Sequence, residues 1–168
     1  MYICHLICKT SIMKTTYLLA NKYKRLGWVL LCLGLIGGIY MYVTDFDSME
    51  TFKIKVFTIY NEPFLGKSGF FKIIENGVFD EICAILIIIG GLLVGFSKEK
   101  QEDEYIYKLR KDSLVWALIL NYIILLIAII LVYDMSFFHV LIFNMFTPLL
   151  FFVIRFNFLK YKQMAYEE

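Results

Sequence analysis

The chain has 168 residues, of which 60% are hydrophobic by type and 19% are charged, and its mean hydropathy is +0.69. Soluble domains average about 45–50% apolar and about 25% charged residues, so this composition disfavours a soluble enzyme or a disordered chain. Seventeen basic residues against 15 acidic ones leave a formal net charge of +2. Such a balance does not suggest a nucleic-acid-binding protein, which needs a clustered basic face. The composition indicates a small integral membrane protein with one domain.

The N-terminal segment, residues 1–25, carries no recognisable site. Cys4 and Cys8 flank His5, but haem attachment requires two residues between the cysteines and a histidine directly after the second. We therefore expect no metal and no cofactor. Met13 is followed by Lys14 and would open a conventional N-terminus, so we expect the cellular protein to start there.

Four segments predict transmembrane helices. A bilayer core of roughly 30 Å requires about 20 apolar residues in a helix, because every backbone polar group must be satisfied internally. The segments that meet this requirement are residues 26–43, 78–97, 114–133 and 137–154. The second includes Asp80 and Glu81 in its first turn, where they face interfacial water and complement the positive helix N-terminus. The predicted fold is an all-α membrane protein, a bundle of four transmembrane helices.

The distribution of lysine and arginine predicts the orientation, since cytoplasmic loops carry an excess of both. Placing residues 1–25, 98–113 and 155–168 inside puts 13 of the 17 basic residues in the cytoplasm. The outside then holds a 34-residue loop, residues 44–77, and the short turn 134–136. We expect a protein of the bacterial inner (plasma) membrane with both termini in the cytoplasm.

Two G-x-x-x-G motifs predict close helix packing. Gly34 and Gly38 lie in the first span, and Gly91 and Gly95 lie in the second. Glycines four residues apart share one helix face and let another backbone approach closely. We expect the two motifs to pack spans one and two within the chain; the alternative is the seam of a homodimer.

Asn121 and Asn144 are the most polar side chains deep in the apolar segments. Counted from the span ends at 1.5 Å per residue, they lie at depths that differ by roughly 9 Å, so a direct bond between them is not assured. We expect each to make an interhelical hydrogen bond. A role along a substrate path is the alternative.

The two soluble segments are patterned differently. In the outer loop, the alternation over Thr51–Tyr60 predicts a strand, and Gly69–Glu75 is either a short surface helix or a second strand. We expect this apolar loop to cover the outer end of the helix bundle, to rest on lipid headgroups or to form a surface that binds a partner protein. In the inner connector, Lys98–Ser113, acidic residues precede basic ones, which suits a helix dipole. We expect a helix continuing from span two or leading into span three, with its basic end, Lys108 to Lys111, touching headgroups.

Two later segments carry a resemblance to a known group of proteins. They read DEICAILIIIGGLLVGFSKEKQEDEYIYKLRKDSLVWALILNY and IFNMFTPLLFFVIRF. Over roughly the last ninety residues, the chain resembles small bacterial four-span membrane proteins of no known activity. The resemblance implies a membrane bundle and transfers no functional residue.

We find no catalytic arrangement in the sequence and expect no enzyme. The predicted role is an accessory or interaction subunit whose partners are the lipid bilayer and another membrane or cytoplasmic protein. The alternative is a small transporter or channel subunit. In that case Asp80 and Glu81 form an acidic outer vestibule, and Asn121 and Asn144 line the path.

Overall fold

The structure, a computed structural model, describes residues 18–44, 53–61 and 69–167. This part of the chain is mostly helical, with four long helices and one β-hairpin. The elements are α1 (Lys22–Val43), β1 (Lys53–Asn61), β2 (Gly69–Gly77), α2 (Phe79–Phe96), α3 (Glu104–Leu131) and α4 (Asp134–Glu167).

All four helices are long and apolar enough to cross a membrane, which confirms the four predicted spans by length and composition. The best 18-residue windows of α1, α2, α3 and α4 have mean hydropathies of 2.0, 2.2, 2.9 and 2.1. At most a third of any window is buried inside the protein. Large apolar side chains therefore cover much of the helix surface, as in a chain whose solvent is lipid. These features fit a multi-pass membrane protein.

Helix α3 begins at Glu104, so the helix of the connector leads directly into the third apolar segment. Its N-cap is Asp103, whose Oδ1 accepts a hydrogen bond of 2.9 Å from the backbone N–H of Ile106. This bond satisfies one of the donors that the first turn leaves unpaired. Asp80 and Glu81 lie in the first turn of α2, where the sequence places them.

The chain divides into two compact units. The first unit comprises residues 18–28 and 91–167 of the described chain, and the second comprises described residues within 29–90. The first unit contains the first two turns of α1, the end of α2, and the whole of α3 and α4.

The core of the first unit is a cluster of buried apolar side chains on α2, α3 and α4. Phe152 is its central member, with its ring centroid 5.5 Å from that of Phe96 and 6.2 Å from that of Phe156. Two fully buried side chains on neighbouring helices, Val94 and Ala117, complete the contact. These rings and small side chains hold α3 against α4 and the end of α2.

The second-span glycines lie against α4, whereas we expected them to face the first span. A Cβ added to Gly91 would lie 2.6 Å from Leu149 Cδ2, and one added to Gly95 would lie 2.4 Å from Phe152 Cε1. Both distances are too short for a real Cβ, so glycine is needed for this approach. The physical reason is that Phe152 is a large core ring, and only a residue without a side chain leaves room for it.

In the second unit, α1 approaches α2 through Gly34 and Gly37. A Cβ on Gly34 would lie 2.9 Å from the backbone N of Ile87, and one on Gly37 would lie 2.6 Å from Cys83 Sγ. Around Gly38, the described chain places no such neighbour within 4 Å. The contact therefore uses glycines three residues apart, Gly34 and Gly37, instead of the predicted pair.

The second unit also contains an antiparallel hairpin. Lys53 pairs with Gly77 at one end and Asn61 with Gly69 at the other. Residues 69–77 form a strand, which decides between the two alternatives left open for that segment. One face of the hairpin carries four large apolar side chains, which we call the apolar hairpin face: Phe57, Ile59, Phe71 and Ile73.

Candidate functional site: a charged cluster and its cavity

A backbone bridge joins the segment before α1 to the segment after α2. The Leu19 N–H donates to Phe96 O, the Lys98 N–H donates to Leu19 O, and both distances are 2.9 Å. The Asn21 side-chain amide adds a bond of 2.6 Å to the Lys98 carbonyl. This bridge sets the first turn of α1 beside the connector and so positions the charged residues on each.

Glu99 is the centre of the resulting cluster. Its carboxylate accepts hydrogen bonds from Lys24 on α1 and from Lys160 on α4, the latter at 3.0 Å. Only 9% of the Glu99 side chain is exposed. Burial alone would raise the pKa of Glu99, but the two ammonium groups outweigh it and hold that pKa below its usual range. The carboxylate therefore stays ionised and fixes both lysines.

A second ion pair lies beside the first, and its arginine is more deeply buried than any member of the Glu99 cluster. Arg110 is 3% exposed, and its guanidinium contacts both oxygens of Glu102, at 2.6 and 3.2 Å. The guanidinium also donates to the Ser97 carbonyl at 3.3 Å and lies 5.0 Å from the Phe156 ring centroid. We expected Arg110 to reach lipid headgroups; it lies on the inward face of α3 and its charge is matched inside the protein.

The two ion pairs are connected through the connector backbone. Glu102 Oε2 accepts a hydrogen bond of 2.8 Å from the Glu99 N–H. Loss of Glu102 would therefore affect both the arginine and the turn that carries Glu99. Arg110 Nε and Ser113 Oγ are buried and have no hydrogen-bond partner among the described residues.

A cavity of about 520 Å³ opens beside Glu99. It is lined by side-chain amides, Trp28 and six charged residues. The charged lining residues are Lys24, Arg25, Lys100, Lys160, Glu99 and Asp103. An excess of positive charge around a cavity of this size suits an anionic group.

Asn121 and Asn144 bind each other directly through two hydrogen bonds, of 3.3 and 3.0 Å. We expected their depths to differ, because depth was counted from the ends of the apolar segments. The short turn between α3 and α4 sets the pairing instead. Asn121 lies ten residues before Leu131, where α3 ends, and Asn144 lies ten residues after Asp134, where α4 begins. An antiparallel helix pair brings such positions side by side.

The predicted vestibule residues lie in the second unit. Glu81 Oε1 accepts a hydrogen bond of 2.8 Å from the Asn76 amide, which links the hairpin to α2. Asp80 Oδ1 is buried and has no hydrogen-bond partner within the part of the chain that the structure describes. The two carboxylates are neighbours in sequence and have different surroundings.

The charged cluster was not predicted from the sequence, although α3 carries a signal for part of it. The buried residues of α3 are Arg110, Ser113, Ala117, Asn121 and Ala128. Their spacing of three, four and seven residues marks one helix face. The same helix face, followed from Asn121 toward the N-terminus of α3, carries the small and polar residues Ala117 and Ser113 and then Arg110. Nothing comparable in the sequence indicates Glu99, whose partners lie far away along the chain.

No cluster of histidine, cysteine or acidic residues suited to a metal ion occurs among the described residues. The predicted start at Met13 and the Cys4–Cys8 segment lie outside those residues. No protein-family model, curated protein or solved structure matches the chain.

Proposed function

We propose that the chain is a non-enzymatic accessory or interaction subunit of the bacterial inner membrane, with both termini in the cytoplasm. Four apolar helices support the multi-pass arrangement. The lysine and arginine distribution supports the orientation. In this orientation the cluster around Glu99 and Arg110 lies at the cytoplasmic ends of the helices, where charged groups cost least.

The observation that carries the interaction role is the apolar hairpin face. Phe57, Ile59, Phe71 and Ile73 are 65%, 67%, 68% and 70% exposed. A contiguous exposed apolar patch marks an interaction site, and an isolated two-stranded hairpin is only marginally stable in water. Each strand also leaves one edge without a strand partner among the described residues. Such an edge can pair with a strand of another protein.

The partner that this face suits is another protein of the same membrane. Only Val78 separates the end of β2 from the start of α2, so the hairpin is held close to the outer end of a span. A partner anchored in the same bilayer can contact the apolar hairpin face at this short distance from the membrane surface. Contact would bury the four side chains and satisfy the free strand edge.

Site-specific photocrosslinking in native membranes tests this role. A photoreactive phenylalanine analogue at Phe57 or Ile73 is expected to give discrete protein adducts. The control position is Thr58, which lies on the opposite face of the hairpin and binds the Lys72 carbonyl. Equal adducts from both faces, or lipid adducts alone, would contradict the proposal. Reporter fusions to residues 44–77 and to Glu168 check the orientation separately.

The paired asparagines favour a structural role over a transport path in the first unit. Asn121 is 7% exposed, and its amide exchanges both a donor and an acceptor bond with Asn144. A polar pair satisfied in this way holds two helices together. It leaves the amides engaged with each other instead of with a solute.

One observation favours the second candidate, a small transporter or channel subunit. Asp80 keeps a buried carboxylate oxygen with no hydrogen-bond partner in the described chain, and Glu81 follows it. Acidic groups at the outer end of a span are suited to attract a cation. Solute or ion flux in liposomes that is lost in Asp80→Asn/Glu81→Gln would support this candidate over the accessory role.

A further inference from the structure

The residues that line the cavity beside Glu99 carry an excess of positive charge that the ion pairs among them do not neutralise. Four lining residues are basic, Lys24, Arg25, Lys100 and Lys160, and two are acidic. The acidic groups are both engaged: Glu99 binds two of the lysines, and the Asp103 carboxylate caps α3. The lining therefore carries two more positive than negative charges.

Arg25 and Lys100 carry this excess. Both side chains are exposed at the cavity, and neither forms an ion pair with any residue that the structure describes. An arginine guanidinium presents several N–H donors in a planar fork that fits phosphate oxygens, while a lysine ammonium acts as a compact charge. The two lysines held by Glu99 add further donors to the lining.

The cavity lies at the depth of lipid headgroups in the proposed orientation. Trp28 lines it, and the apolar run of α1 begins only two residues earlier, at Leu26. Tryptophan is enriched at the boundary between headgroups and hydrocarbon. Basic pockets between transmembrane helices on the cytoplasmic side are suited to anionic headgroups.

We propose that this cavity binds a phosphate group, with Arg25 and Lys100 as the principal contacts and Lys24 and Lys160 as a supporting pair fixed by Glu99. The same chemistry is offered by the phosphodiester of an anionic phospholipid and by free phosphate. The site does not involve the hairpin, so its failure would leave the proposed interaction role untouched.

Native mass spectrometry of the full chain in detergent tests the site by titration with phosphatidylglycerol. Arg25→Gln/Lys100→Gln is expected to weaken phosphatidylglycerol binding by about tenfold or more, because it removes the two cations that carry the positive excess at the cavity. The matched control is Lys108→Gln/Lys111→Gln, which removes the same charge from exposed positions on α3 outside the cavity and therefore measures the general attraction of headgroups to surface lysines. This control is expected to change binding by less than about twofold.

Two further probes distinguish the ligand sources. Inorganic phosphate that displaces phosphatidylglycerol, with the same dependence on Arg25 and Lys100, identifies free phosphate as a ligand. Failure of phosphate to displace the lipid identifies the headgroup. Equal losses in the two double variants, no loss in Arg25→Gln/Lys100→Gln, or equally tight binding of zwitterionic phosphatidylcholine would overturn the proposal. Thermal unfolding of each variant confirms that folding is intact.

Discussion

The charged cluster of the first unit and the hairpin of the second unit differ in which side chains they bury. In the first unit, charged groups are buried and matched, as Arg110 is with Glu102. In the second unit, large apolar groups such as Phe57 and Ile73 are exposed on the hairpin. Buried ion pairs require good geometry to offset the cost of removing charge from water. The Arg110–Glu102 pair thus satisfies its charges within the protein, whereas the hairpin leaves an apolar surface for something else to cover.

Breaking the Arg110–Glu102 pair is the most severe test of this contrast. Glu102→Ala leaves the buried guanidinium without its carboxylate, and we expect it to lower the free energy of unfolding by about 3–5 kcal/mol. The measurement is equilibrium unfolding in detergent. Asp112→Ala, at an exposed acidic position on α3, is the control, with an expected change within about 0.5 kcal/mol.

Replacing both partners with apolar residues separates the pair's own contribution from the penalty of an orphaned charge. Arg110→Met/Glu102→Met is expected to recover most of the stability lost in Glu102→Ala, since no uncompensated charge remains. A Glu102→Ala loss no larger than that of Asp112→Ala would show that the first unit does not depend on this pair.

The glycines provide the next largest effect and a matched pair of positions. Gly95→Ala places a Cβ against the fully buried Phe152 ring, and such overpacking costs typically about 1–3 kcal/mol. Gly38→Ala meets no neighbour within 4 Å and is expected to be neutral or to stabilise α1 by up to about 1 kcal/mol, because alanine favours helix. Thermal unfolding of both variants checks the difference. Equal effects would contradict the assigned packing.

The spans could be predicted from the sequence because they depend on local composition. Apolar runs near 20 residues indicate membrane helices directly, and the order of acidic and basic residues after α2 indicates the helix that Asp103 caps. Strand alternation before Tyr60 likewise predicts β1. Each of these features lies within one short window of the chain.

The site could not be predicted in the same way, since it depends on tertiary register. Lys24 and Lys160 lie 75 and 61 residues from Glu99 in sequence, and no periodicity connects them. The interhelical hydrogen bonds of Asn121 and Asn144 were expected, but their direct pairing was not, because the register depends on the turn between α3 and α4 and not on where each apolar run ends. Only Arg110 carried a local signal, through its place on the buried face of α3.

Lowering the pH tests how much the ionised Glu99 carboxylate contributes to stability, and the expected effect is smaller than those above. Because the folded pKa of Glu99 lies below its unfolded value, which is about 4.3, the stabilisation is complete above that pH and is lost as pH falls through the folded pKa. Wild type is therefore expected to unfold at a higher temperature than Glu99→Gln at pH 7. The difference should narrow at lower pH. A difference that stays constant or widens on acidification would contradict a stabilising carboxylate.

The asparagine pair is expected to contribute less. Interhelical hydrogen bonds in membranes average about 0.6 kcal/mol, so the coupling energy between Asn121→Ala and Asn144→Ala should be of that order. A double-mutant cycle in unfolding free energy measures it. The double variant should be less destabilised than the sum of the two single variants, since each single variant leaves one amide unpaired and the double variant leaves none. Strict additivity would mean that the two amides do not interact.

The smallest expected effect on stability lies in the second unit. Ile73→Ser changes a side chain on the apolar hairpin face that is 70% exposed, so the free energy of unfolding should change by no more than about 0.5 kcal/mol. The adjacent Ile74 is half-buried on the opposite face, and Ile74→Ser should destabilise more. Photocrosslinking from Phe57 should show the reverse order, because only Ile73→Ser alters the face that the partner contacts. Loss of stability in Ile73→Ser equal to that in Ile74→Ser would assign both faces of the hairpin to the protein's own core and remove the contrast between the hairpin and the charged cluster.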